Sequence, residues 1–177
     1  MPLDATDAPD YIPPNAFHVT IPDVDQAQLT AVVKYEFELE DTWWDSPVTS
    51  KPFFPMEVLI RGRYNRLYVP LIVASWRNMQ APKWVLFIID TTSPHTYLSK
   101  ATFLKLGYEA DDAPRIDTEM MIHGYPITVA PSHSGFAEIN ILGQDYLTFT
   151  KAELELYYEC SYGQLRACRP NANVSFL

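Results

Sequence analysis

A chain of 177 residues, 47% apolar and 14% aromatic, can bury one core but not two large ones, and its composition is not that of a disordered polymer. Its net charge of −9 is concentrated: residues 1–50 hold ten acids against one base, Lys34, whereas residues 51–177 hold twelve of each. Phosphate backbones require clustered Lys and Arg, so nucleic acid is a poor partner, and a basic protein surface is the expected contact of the acidic N-terminal arm.

The first ten residues, MPLDATDAPD, have neither the basic start nor the apolar stretch of a signal peptide. No run in the chain approaches the roughly 18 apolar residues of a spanning helix. The expectation is a soluble, intracellular protein with no membrane partner and no assigned compartment. Fifteen prolines against six glycines imply many strand ends and rigid connections, hence a mainly β protein.

Residues 1–16, rich in Pro and Asp, are expected to form an extended arm. Period-two alternation then predicts strands over 17–21 (Phe17, Val19 and Ile21 on one face) and over 33–40 (Val33, Tyr35, Phe37 and Leu39). Trp43 and Trp44 precede a Pro-flanked break at 46–55 and are read as packing residues. Residues 56–60 and 67–74 flank the turn Arg61-Gly62-Arg63-Tyr64-Asn65-Arg66, the pattern of a hairpin. Trp84 to Ile89 is apolar at every position, as in a strand buried on both faces. It ends in Asp90-Thr91-Thr92-Ser93-Pro94.

A short helix is expected over 100–107, stopped by Gly107. Strands follow at 118–123 and 126–130, a short apolar strand at 139–143, a helical turn at 144–148, and a strand at 153–159 with Leu154, Leu156 and Tyr158 inward. The two cysteines, Cys160 and Cys168, form no disulfide framework or zinc pair and are expected to be reduced structural residues. His18, His95, His123 and His133 lack metal-like spacing and read as surface or turn residues, so no metal or cofactor is expected. Tyr157 and Tyr158 read as packing residues.

A carboxylate placed directly after six apolar residues is a candidate acid or base, because burial penalises its charge. An Asp before Thr, Thr, Ser and Pro is also an ordinary turn opener. The wider pattern adds to this. The run WVLFII followed by Asp90-Thr91-Thr92-Ser93, and about fifty residues later Ile141-Leu142-Gly143-Gln144-Asp145-Tyr146-Leu147, resembles the active-site segment and the apolar-apolar-Gly element of retropepsin-like aspartic proteases. The resemblance covers about residues 56–160.

It implies a closed acid-protease β-barrel with one or two short helices over 51–177, behind an acidic N-terminal β or extended region over 1–50. The catalytic motif would be Asp90, Thr91 and Thr92, with Asp90 as acid/base and Thr91 hydrogen-bonding across a dimer. Leu142 and Gly143 would support the loop from beneath, and Gly124 with Tyr125 would form a shortened flap tip against substrate. One motif per chain supplies one carboxylate, so hydrolysis of a peptide bond would need a homodimer. Asp117-Thr118 repeats the Ile-Asp-Thr pattern after Ile116, but it follows Ala-Pro-Arg and lies too close to serve as a second lobe. Thr92 stands where the family has glycine, and the span 109–134 leaves little for a long flap. Three readings remain open: a peptidase acting on a protein or peptide substrate, an inactive protease-fold scaffold subunit, and an unrelated β-barrel binding module.

Overall fold

The computed structural model describes residues 24, 26–37, 43–46, 53–76, 78–109 and 117–168. The arm expected over 1–16, the strand over 17–21 and His18 lie outside the described residues. None of the helices among the described residues is long and apolar enough to cross a membrane.

The hairpin expected after residue 56 is present as β2 (Met56–Arg61) and β3 (Arg66–Ser75). Gly62 (φ +79°) and Asn65 (φ +51°) supply the left-handed positions of its turn, and the Asn65 N–H donates to the Gly62 carbonyl at 3.2 Å. β4 (Asn78–Ile89) runs back antiparallel to β3, with Trp84 opposite Ile72 and Ile89 opposite Leu67. Val85, Phe87 and Ile89 enter one core cluster, and Leu86 and Ile88 enter another. Both faces of β4 are therefore dry from Val85 to Ile89, which is why that end of the strand is all apolar.

Six strands close into a ring. β4 pairs in parallel with β8 (Ile141–Leu142), and β8 pairs antiparallel with β5 (Thr96–Leu98). β5 pairs in parallel with β7 (Tyr125–Pro131), which forms a hairpin with β6 (Thr118–Ile122). β6 then meets the far end of β3, and β3 returns to β4. From β3 the sheet also runs outward through β2 to β10 (Tyr162–Ala167) and β9 (Ala152–Tyr157). The short helix α2 (Lys100–Lys105) starts on Ser99, whose Oγ accepts the Thr102 N–H at 3.2 Å, and is followed by Gly107 at φ +92°. The helix α3 (Gln144–Thr150) links β8 to β9.

The strand expected over 33–40 is corrected: residues 26–37 form the helix α1 (Gln26–Phe37), and 38–40 lie outside the described residues. Leu29 and Val33, one helical turn apart, are both buried and join Val24 in the second core cluster, while Tyr35 is 83% exposed. A strand would have put Val33 and Tyr35 on the same face. The described residues thus hold three helices, one of them twelve residues long, rather than one or two short ones. Glu36 accepts from Arg61 Nε at 2.5 Å, tying α1 to β2 and holding the Glu36 carboxyl below its ordinary value. β1 (Trp43–Asp45) pairs with residues 83–85 of β4, and Lys83 contacts Asp45 across that pair. Tyr158 is a second correction: it sits in a single tight turn between β9 and β10 and is 58% exposed instead of facing inward.

Candidate active site

β4 delivers Asp90 to the point just past its last pair with β8, Ile89 with Leu142. The Asp90 N–H donates to the Leu142 carbonyl at 3.1 Å, so the residue's backbone is still part of the ring, and Asp90 is only 9% exposed. The chain then turns sharply, with the Ser93 N–H on the Asp90 carbonyl at 3.2 Å. Within that turn Oδ1 of Asp90 accepts two hydrogen bonds from Thr92, from its N–H at 2.9 Å and its hydroxyl at 2.6 Å. Oδ2 is buried and has no hydrogen-bond partner among the described residues. A buried carboxylate oxygen without a donor is costly, and such groups concentrate where a fold serves a function.

A second segment clamps the loop from beneath. The N–H groups of Gln144 and Asp145 donate to the carbonyls of Ser93 and Pro94 at 2.8 and 3.2 Å, and Gln144 Nε2 donates to the Thr91 carbonyl at 2.6 Å. The Asp145 carboxylate accepts the Thr96 N–H at 2.8 Å and the Thr96 hydroxyl at 2.6 Å. Thr96 Oγ1 in turn accepts the Gly143 N–H at 3.1 Å. Between these bonds the two backbones touch: a Cβ on Gly143 would lie 2.2 Å from the His95 carbonyl oxygen and 3.0 Å from that of Ser93. Only glycine allows this approach.

Asp90, Thr91, Thr92, Leu142 and Gly143 are therefore brought together. Leu142 is fully buried, whereas Thr91 and Thr92 are exposed. The backbone of Thr92 lies outside the left-handed region, so its φ does not require glycine at this position.

Gly124 and Tyr125 are placed elsewhere, which corrects the flap assignment. His123 (φ +47°) and Gly124 (φ +84°) make the tight turn between β6 and β7, and Tyr125 is buried against Tyr146, Phe149 and Phe54. The His123 N–H donates to Ile72, which pairs with Trp84, five register steps from the Leu67–Ile89 pair. At about 3.3 Å per residue this turn lies roughly 17 Å along the hairpin from the Asp90 end.

His123 itself was read as a surface or turn residue; it occupies a turn but is fully buried. Its Nδ1 accepts the Ile72 N–H at 3.3 Å, and its Nε2 lies 2.7 Å from the Phe53 carbonyl and 3.2 Å from the Phe53 N–H; with Nδ1 accepting, the neutral ring carries its proton on Nε2 and the shorter contact, to the carbonyl, is the bond it donates. Asp117 lies exposed at the start of β6, across from the loop, on a cleft of about 370 Å³ that it shares with His95, Asp145 and Phe149. The Tyr97 hydroxyl is pushed up by burial, and further by the charges of Asp117 and Asp145.

Asp145, Gln144 and Thr96 brace the 90–95 loop, a place that the sequence reading did not assign to them. Asp145 stands in the first turn of a helix, where an acid is common, and only the fold brings Thr96 to it. Cys160 and Cys168 are free and exposed. Among the described residues, no three His, Cys, Asp or Glu side chains converge as a metal site would require.

No family model matches the chain, and no curated protein matches it. Among solved structures it is similar to the crystal structure of a retropepsin-like aspartic protease from Rickettsia conorii, at 16% identity and a TM-score of 0.44, over 64% of this chain and 93% of that one.

Proposed function

We propose that this chain is one protomer of a retropepsin-type aspartic endopeptidase, active as a homodimer in which the two Asp90 side chains face each other across the two-fold axis. Residues 51–177 form the peptidase domain in this reading, and residues 1–50 an acidic extension suited to a basic protein surface. The observation that supports it most is the state of Asp90: a carboxylate at the end of a strand buried on both faces, with Oδ1 held by two donors and Oδ2 buried and unpartnered among the described residues.

Two such carboxylates about 3 Å apart cannot both ionise, so they share one proton. The ionised member takes a proton from water, the protonated member polarises the scissile carbonyl, and the water attacks. Thr91 is exposed with its carbonyl tied to Gln144, and in this reading its hydroxyl hydrogen-bonds across the dimer. Leu142 and Gly143 keep the loop from shifting. The substrate class is protein or peptide, and the chemistry calls for no cofactor.

Asp90→Asn keeps the shape and the Thr92 bonds but cannot share a proton. It is expected to lower peptide cleavage by roughly 10³-fold or more while leaving the circular dichroism spectrum and Tm close to wild type. Cleavage that survives the substitution would remove this reading.

A second reading, a protease-fold structural subunit without peptidase activity, is favoured by one observation. The β6–β7 hairpin is consumed by the strand ring and packs its turn into the core, so it cannot cover a cleft beside Asp90.

A further inference from the structure

The third residue of the Asp90-Thr91-Thr92 turn does something that glycine cannot. Its N–H and its hydroxyl both donate to one oxygen, Asp90 Oδ1, and the hydroxyl contact of 2.6 Å lies in the range of a charge-assisted bond. Oδ2 receives no donor among the described residues although it is buried. Donors on one oxygen stabilise negative charge there, so a proton joining this carboxyl is directed to the other oxygen. A flip of the carboxyl that exchanged the two oxygens would have to break both bonds at once.

Thr92 is itself exposed, and its backbone lies outside the left-handed region, so packing alone does not account for a β-branched side chain folded back onto the carboxylate. We propose that Thr92 is a positioning residue: its hydroxyl reserves Oδ1 of Asp90 as a fixed acceptor and leaves Oδ2 as the oxygen that carries the carboxyl proton. The catalytic consequence rests on the peptidase reading of Asp90; the hydrogen bond and the choice of oxygen do not.

The test compares wild type, Thr92→Val and Thr92→Ser in the full chain. Valine keeps the shape and the backbone N–H and removes only the hydroxyl; serine keeps the hydroxyl. In Thr92→Val, kcat on a peptide substrate is expected to fall roughly 10- to 100-fold with KM nearly unchanged, the loss of one hydrogen bond to a charged group. Thr92→Ser is expected to restore it.

A second measurement needs no turnover. In protein labelled with ¹³C at the aspartate carboxyls, the Asp90 resonance is identified by its disappearance in Asp90→Asn. Its H₂O/D₂O isotope shift at fixed pH is expected to be the same in wild type and Thr92→Ser and smaller in Thr92→Val. An unchanged kcat or an undiminished isotope shift in Thr92→Val, or a serine variant that fails to rescue, overturns the proposal. A wild-type chain with no peptidase activity would retire the peptidase reading alone, and the isotope shift would still decide whether Thr92 holds Oδ1.

Discussion

Burial against Phe53, Phe54 and Trp84 lowers the His123 pKa from 6.5 to about 4, with the hydrogen bond to the Phe53 carbonyl pulling weakly the other way. The ring does for Ile72 and Phe53 what a neighbouring strand would do, and it does so neutral. An unfolded chain takes up a proton near pH 6.5 that the folded chain refuses until about pH 4. The stability present above pH 6.5 is therefore lost as pH falls through this window, by about 3 kcal/mol in total. Urea unfolding followed from pH 7 to pH 4 is expected to show a falling midpoint, and His123→Gln, which does not titrate, a flatter one. Equal slopes in the two proteins would mean that other groups govern the acid limb.

At the level of elements, the contact between the 90–95 loop and the β8–α3 junction holds the candidate site together. Its tightest point is Gly143, where the neighbouring atoms are backbone and cannot swing aside. Gly143→Ala is expected to destabilise the fold by about 2–3 kcal/mol, a Tm fall of roughly 5–10 °C by thermal melting, and to loosen the Asp90 turn with it. A melt unchanged within a degree would show that the two segments are not in contact. Other elements reveal why patterns differ in legibility. The end of β4, from Trp84 to Ile89, was readable because burial on both faces leaves no polar position there. α1 was not, because Val33, Tyr35 and Phe37 alternate by two while Leu29 and Val33 repeat by four, and both periods are present in the same letters. β10 was missed since Gly163 and the polar residues beside it carry no strand signal. Its glycine is there because a Cβ would lie 2.5 Å from the Glu155 carbonyl of the adjacent strand.

For the whole molecule, the peptidase reading, with one carboxylate per chain, makes assembly the deciding variable. Sedimentation of the full chain at micromolar concentration is expected to give a two-chain species, and Asp90→Asn, which removes the single shared charge from the axis, is expected to dimerise at least as well. A strict monomer in both would leave a two-Asp mechanism with half its parts. The acidity confined to residues 1–50 adds a long-range term that salt should screen, so any contact made by that segment is expected to weaken between 0.05 and 0.5 M NaCl in binding assays.

The amino-acid sequence by itself determined that the chain is mainly β, that an oily strand ends in Asp90, and that a Leu142-Gly143 element follows about fifty residues on, because burial and backbone crowding restrict which residue types those positions accept. The tertiary structure alone decided that residues 26–37 are a helix, that Thr96 and Asp145 meet, that His123 is buried, and that Gly124 and Tyr125 lie at the wrong end of the hairpin to cover the site. Each of these depends on a partner distant in sequence, and a residue's own letters do not record which neighbour will remove it from water.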